Sequence, residues 1–204
     1  EQKEEIEAQR DEITDSIEYA SLIQKSMLPG TESLTKSFKD HFILYMPRDI
    51  VSGDFYWFKN VGGKKLFAAA DCTGHGVPGA FMSMIGNTLF DQIILVDKVL
   101  DPADILNKLH DRIITLLRQE SNDPFQSQDG MDLSIAIYDK ITSSLTYAGA
   151  MNSIYKVCDG KIEVLNVNKF GVGGVHFSGQ KMQFSSVEIK MQQNEQLYML
   201  SDGF

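Results

Sequence analysis

Cysteine is scarce in this sequence: among 204 residues there are only Cys72 and Cys158. Two thiols supply neither a disulfide framework nor a four-thiolate zinc site, and they read as free thiols in a reducing compartment. No apolar run approaches the ~18 residues that would span a bilayer. The opening Glu-Gln-Lys-Glu-Glu has none of the features of a signal peptide. Basic residues are in deficit, 19 Lys and Arg against 28 Asp and Glu, for a formal net charge of −9. That balance argues against a nucleic-acid backbone or an anionic membrane surface as partner, and it permits a carboxylate site for cations. A composition of 43% hydrophobic and 23% charged residues excludes disordered, collagenous and low-complexity chains. No His-Glu-x-x-His and no Gly-x-Ser-x-Gly occurs, which removes the commonest zinc-hydrolase and serine-hydrolase signatures. The expectation is a soluble, cytoplasmic chain, able to form the cytoplasmic part of a larger sensor.

What is present begins with a helical pattern over residues 1–28, free of Pro and Gly. Ile6, Ile13, Ala20 and Met27 recur every seven residues with Ile17 between them, a coiled-coil-like seam that predicts pairing with a second copy. Arg10 and Gln24 interrupt the seam and make it marginal. Pro29-Gly30 stops the helix, so residues 1–28 form a linker and 29–204 the main domain.

The domain opens with strand-like stretches at His41–Met46, Asp54–Lys59 and Lys64–Ala70, the last two joined at Gly62-Gly63. Helices are predicted over Pro78–Val96 and from Pro102 onward, the second with Ile105, Leu109, Ile113, Leu116 and Leu117 on its apolar face. Gln119–Gly130 reads as a loop. Strands follow at Leu133–Tyr138, Ser144–Ala148, Ile154–Val157, Lys161–Val167 and Leu197–Leu200. Strands on either side of an adjacent helical pair indicate an α+β class with antiparallel sheets, not a doubly wound parallel sheet.

Three segments share one design, an apolar strand delivering an Asp beside a Gly: Ser52-Gly53-Asp54, Ala70-Asp71-Cys72-Thr73-Gly74 and Leu200-Ser201-Asp202-Gly203. A strand end fixes a carboxylate on a rigid element, and the glycine lets backbone or ligand approach closely. Converging carboxylates need a cation, and an all-oxygen set favours Mg²⁺ or Mn²⁺. The backbone carbonyl of Cys72 directly follows Asp71 and is a further candidate ligand. Arg48, in Pro47-Arg48-Asp49, is placed to grip a phosphate. His75 stands between two glycines beside Asp71, whereas His110 reads as structural; His41 and His176 complete the histidines without metal-ligand spacing. Gly74-x-Gly76-x-x-Gly79 matches a dinucleotide fingerprint. Asp71 just before it and the helix-helix succession after it count against a nucleotide-binding enzyme.

These blocks resemble, in order, the metal-dependent (PPM, type-2C) Ser/Thr protein phosphatases in their bacterial SpoIIE-like branch. The matching residues are Pro47–Trp57, Asp71–Ala80, Gly130-Met131-Asp132, Tyr147-Ala148-Gly149-Ala150 with Asn152, and Leu197–Gly203. The resemblance implies an αββα sandwich, two antiparallel sheets flanked by helices, preceded by the coiled-coil-like helix. It implies a pair of Mn²⁺ or Mg²⁺ ions, with Asp71 bridging, Asp54 and the Cys72 carbonyl on one ion and Asp202 on the other. The family pattern has one more Asp, in a Gly-Gly-containing segment that would lie beyond Phe204. The implied activity is hydrolysis of phosphoserine or phosphothreonine on a regulatory protein, such as an anti-sigma-factor antagonist, by a metal-activated water. Asp71, Asp54 and Arg48 carry the catalysis and the N-terminal helix the regulation. The alternative is a non-catalytic signalling or dimerisation module of the same fold.

Overall fold

The computed structural model describes residues 2–119, 127–174 and 182–202. In Lys64–Cys72 (β2), burial alternates with period two, so Leu66, Ala68, Ala70 and Cys72 share one face and Phe67, Ala69 and Asp71 the other. Gly62 and Gly63, with φ of 58° and 81°, turn this strand back onto Phe55–Val61 (β1). A two-residue turn with both φ positive has the twist an antiparallel hairpin needs. Gly130–Asp139 (β3) and Ser144–Ala150 (β4) extend the sheet, Val187–Lys190 (β8) closes its far edge, and Val172–Gly173 (β7) pairs with the start of β3. Ile154–Cys158 (β5), Lys161–Leu165 (β6) and Gln196–Met199 (β9) make a second antiparallel sheet in the order β6-β5-β9.

One face of the large sheet is covered by Gly76–Asp91 (α3), its continuation Gln92–Val96 as a π-helical turn, and Pro102–Leu116 (α4). Trp57, Leu66, Phe90, Ile93, Ile94, Leu106, Leu133 and Ile135 are buried there. Ile105, Leu109 and Ile113 of the predicted α4 face are fully buried, while Leu116 is exposed. Pro102 opens α4, and the side chain of Asp101 accepts from Asp104 N–H as its cap. Gly76–Val96 is long and apolar enough by length and composition to cross a membrane, so the sequence does hold one such run. It is the core helix of this fold, with 56% of its apolar window buried. The other face of the large sheet meets the second sheet through Ala136, Leu145, Tyr147, Ile154 and Leu165, joined by Phe67, Tyr138, Leu197 and Met199.

Two helices precede the sheets, Gln2–Met27 (α1) and Thr31–Ser37 (α2). Most of α1 projects from the domain: Ile6 and Ile13 are 64% and 62% exposed. Its only buried residues are polar, Ser21 and Gln24. Gln24 Nε2 donates to Ser52 O (2.6 Å) and Ser83 Oγ (2.7 Å), and its Oε1 accepts from Ser52 N–H (3.0 Å). Ser21 Oγ donates to Ile50 O (2.8 Å). One amide thus joins α1, the loop before β1 and α3.

The strand expected at His41–Met46 is not formed. Those residues join no ladder, and Met46 is 80% exposed. Apolar alternation makes a strand only where a neighbour offers an edge. Here Phe42 instead packs on Tyr198 (6.0 Å between ring centroids) and Tyr45 on Tyr56 (5.8 Å). The expected Pro78–Val96 helix begins two residues earlier and ends in the π turn. The strand expected over Lys161–Val167 stops at Leu165. α2, β7 and β8 carry no strong signal in the sequence.

Candidate metal centre

Asp54 immediately precedes β1, whose ladder starts by pairing Phe55 with Ala70, so it stands beside Asp71 at the end of β2. Asp71 in turn is paired with Asp132 of β3. Side chains directly opposite in an antiparallel ladder point to one face, with Cβ atoms about 4.5–5.5 Å apart. Three carboxylates therefore form a row across three neighbouring strands, at one end of the face that meets the second sheet. From the second sheet, β9 runs out into Ser201 and Asp202. Ser201 Oγ donates to Asp54 Oδ2 (2.8 Å), and Asp202 N–H donates to Asp71 Oδ2 (3.4 Å). The two sheets supply opposite sides of one acidic site.

Glycine makes the surrounding loops fit. A Cβ on Gly53 would lie 3.0 Å from Gly74 O and 3.2 Å from Cys72 O, and one on Gly79 would lie 2.6 Å from Gly74 O. Within Gly74-x-Gly76-x-x-Gly79, Gly79 thus serves backbone-on-backbone packing at the head of α3, while Gly74 and Gly76 take positive φ of 81° and 62°. His75 Nδ1 lies 3.1 Å from Asp49 Oδ2, tying the same two loops together. Ser52 Oγ accepts from Asp54 N–H (3.0 Å), and Tyr45 Oη donates to Asp54 O (3.3 Å), which fixes the strand entrance.

The electrostatics are those of uncompensated acid. Burial, then the Asp54 carboxylate beside it, pushes Asp71 up to about 7. Burial and the charge of Asp202 also raise Asp132. Among the described residues, none of the ion pairs includes Asp54, Asp71, Asp132 or Asp202. Two residues along β3 from Asp132, on the same face, Ser134 Oγ is buried without a hydrogen-bond partner. Oxygen donors, crowded negative charge and an unsatisfied hydroxyl suit a hard divalent cation. Among the described residues no three His, Cys, Asp or Glu side chains are already arranged to hold an ion, so these donors would have to close around one.

The structure therefore brings Asp54, Asp71 and Asp202 together. The Cys72 carbonyl lies against Gly53, next to Asp54, while the Cys72 thiol is buried and raised by that burial, unsuited to act as a nucleophile. Arg48 sits in an exposed bend, and among the described residues no side-chain hydrogen bond or ion pair includes it. His110 is structural as expected: its Nδ1 accepts from Gly173 N–H (3.1 Å) and its ring packs on Phe184. His176, Gly203 and Phe204 lie outside the described residues. Sequence reasoning assigned no role to Asp132, Ser134, Ser201 or Ser52. For Asp132 the signal is its register opposite Asp71, which becomes visible once β2 and β3 are known to pair.

A family model described as Stage II sporulation protein E (SpoIIE) matches residues 62–204. The SiaA-PP2C domain of Pseudomonas aeruginosa superposes with a TM-score of 0.83 at 31% sequence identity, over 97% of this chain and 74% of that one. The PP2C phosphatase domain of SpoIIE from Bacillus subtilis, solved with a fragment of its regulatory domain, gives 0.58 at 18% identity, over 75% and 42%. RsbX in complex with magnesium gives 0.55 at 13% identity, over 75% and 67%. The last two are likenesses of fold alone. Comparison with curated proteins gives no match.

Proposed function

The chain belongs to the SpoIIE family of PP2C-type phosphatase domains, and from that premise we propose that it is a metal-dependent protein-serine/threonine phosphatase acting on a phosphorylated regulatory protein. The observation that carries this reading is the row Asp54, Asp71, Asp132 faced by Asp202, which among the described residues enters no ion pair. The oxygen donors make a hard divalent cation, Mg²⁺ or Mn²⁺, the fitting complement, and RsbX was solved in complex with magnesium. Such ions, when bound, would supply a water of lowered pKa and positive charge for the phosphoryl oxygens.

The protein's own groups have separable tasks. Asp71, central in the row, would serve both ions, Asp54 and the Cys72 carbonyl would help hold one, and Asp202 the other. The Ser201 hydroxyl orients Asp54, and the Asp202 N–H orients Asp71. Arg48, exposed on the loop that leads to Asp54, draws in the substrate phosphate as a bidentate donor. An anti-sigma-factor antagonist is one regulatory protein of the kind expected as substrate. The work is done in the cytoplasm.

Regulation is assigned to α1. Its exposed Ile6 and Ile13 face a second copy across the seven-residue seam, giving a homodimer, while Gln24 carries a shift of the helix to Ser52 and Ser83. The test is phosphate release from a phosphoserine peptide by the full-length protein with Mn²⁺ or Mg²⁺. Release that stops in EDTA and in Asp71→Asn supports the proposal. Release indifferent to EDTA refutes it, and so does no release with either ion.

A further inference from the structure

A carboxylate inside a central strand is out of place on propensity alone, since Asp is depleted in strands and costly to bury unpaired. Asp132 is such a residue. From Gly130 to Ile137, β3 is buried at every position except Asp132, which is half-buried. Its carboxylate has no hydrogen bond or ion pair among the described residues; its backbone is held by the ladder and by Asn152 Nδ2, which donates to Asp132 O (3.2 Å). The backbone is thus held and the acid left with free lone pairs.

Its placement is specific. Asp132 is the cross-strand partner of Asp71 and so the third member of the row that starts at Asp54. Gly171 makes room for it: a Cβ at that position would stand 2.6 Å from Asp132 Oδ1. The φ of Gly171 is not positive, so the glycine is there for space and not for backbone shape. Behind Asp132 on the same face lies the buried, unpartnered hydroxyl of Ser134. A structural carboxylate would be neutralised by a Lys or Arg, and among the described residues no ion pair includes Asp132.

We propose that Asp132 is an additional acidic ligand of the centre, on the side of Asp71 away from Asp54, where it strengthens the hold on a divalent cation shared with Asp71 or Asp202. The proposal rests on the phosphatase reading for the identity of the cation, and it adds a residue to which neither the family match nor the sequence gave a role.

The experiment is a Mn²⁺ titration of the full-length protein, followed calorimetrically and by the loss of free-Mn²⁺ paramagnetic signal. Asp132→Asn is expected to weaken the affected site at least about tenfold, the order by which losing one ligand or its support lowers metal affinity. The same variant in EDTA should melt no lower than wild type, because it removes repulsion and no bond. Gly171→Ala keeps Asp132 but displaces its carboxylate, and should weaken Mn²⁺ binding several-fold; it gives the answer if Asp132→Asn fails to fold. Isotherms of the folded variants that superimpose on wild type overturn this assignment and leave the phosphatase reading standing. A wild-type protein that binds no Mn²⁺ overturns both.

Discussion

The two sheets contribute to the same site but are built to different standards. The large sheet is packed on both faces, against α3 and α4 on one side and the second sheet on the other, and it carries Asp54, Asp71 and Asp132 at one end. The small sheet has three strands and an exposed outer face, where Ile162 is 69% accessible, and it delivers Ser201 and Asp202 from the end of the four-residue strand β9. Three acids thus stand on a stiff frame and the fourth on a light one. On the proposed reading, the first layer would fix where a cation goes and the second how firmly the site closes.

The largest expected effect tests the stiff side. Asp71→Asn should reduce phosphatase turnover by about 10³-fold or more, because the proposed ion-activated water would lose its central carboxylate. Asp202→Asn should cost less at saturating Mn²⁺, since added ion can offset a weaker hold. Steady-state rates over a Mn²⁺ series check both; equal and unrecoverable losses would erase the distinction between the layers.

A second contrast concerns stability. Phe90 is fully buried and stacks with Trp57 at 5.5 Å, so Phe90→Ala should cost about 3–5 kcal/mol. Met199 is only half-buried between the sheets, and Met199→Ala should cost about 1 kcal/mol. Urea melts read both. If Met199 proved the more costly, the small sheet would be the structural keystone.

Much of this comparison was legible in the sequence, and the exceptions have one cause. Asp54, Asp71 and Asp202 announce themselves because each borders an apolar strand in a segment with a nearby glycine. Asp132 does not, because its meaning comes from its partner across the ladder, and pairing is not a local property. The same limit explains His41–Met46, whose apolar character is that of a strand but which has no edge to join. It explains Val187–Lys190, a short edge strand whose Glu188 and Lys190 hide it. In α1 the seven-residue seam is visible at Ile6 and Ile13, but the face that docks on the domain runs through Ser21 and Gln24. Polar residues held by hydrogen bonds leave no hydrophobic signal, so the junction between helix and domain could be seen only in the structure.

That junction gives a third, smaller expectation. Gln24→Ala leaves the buried Ser52 N–H without its partner, while Ser83 Oγ keeps its bonds to Ser52 O and Ala80 O, and should cost about 1–3 kcal/mol. Hydrogen exchange should show α1 losing protection before the large sheet does. Uniform exchange across both would mean that α1 is an integral part of the fold and not a lever on it.

The smallest expected effect is in the metal-free protein's response to pH. Burial and the neighbouring Asp54 hold Asp71 at about 7, well above the roughly 3.9 it has in an unfolded chain. A carboxyl raised on folding binds its proton more tightly in the native state. Its penalty is therefore full above pH 7 and is relieved as pH falls from 7 toward 4, the opposite of a salt-bridged Asp. Asp132 is raised as well and acts in the same direction. In EDTA, Tm should thus increase by a few degrees between pH 8 and pH 6. Asp71→Asn should flatten that slope, while Asp40→Asn, at an exposed bend, should not. Saturating Mn²⁺ should reverse it, since ion binding then favours the ionised form and proton and cation compete for the same oxygens. A metal-free Tm that falls with acidification would mean that the row on the large sheet is already balanced by charge. The stiff layer would then be a finished structural feature and not a site waiting for a cation.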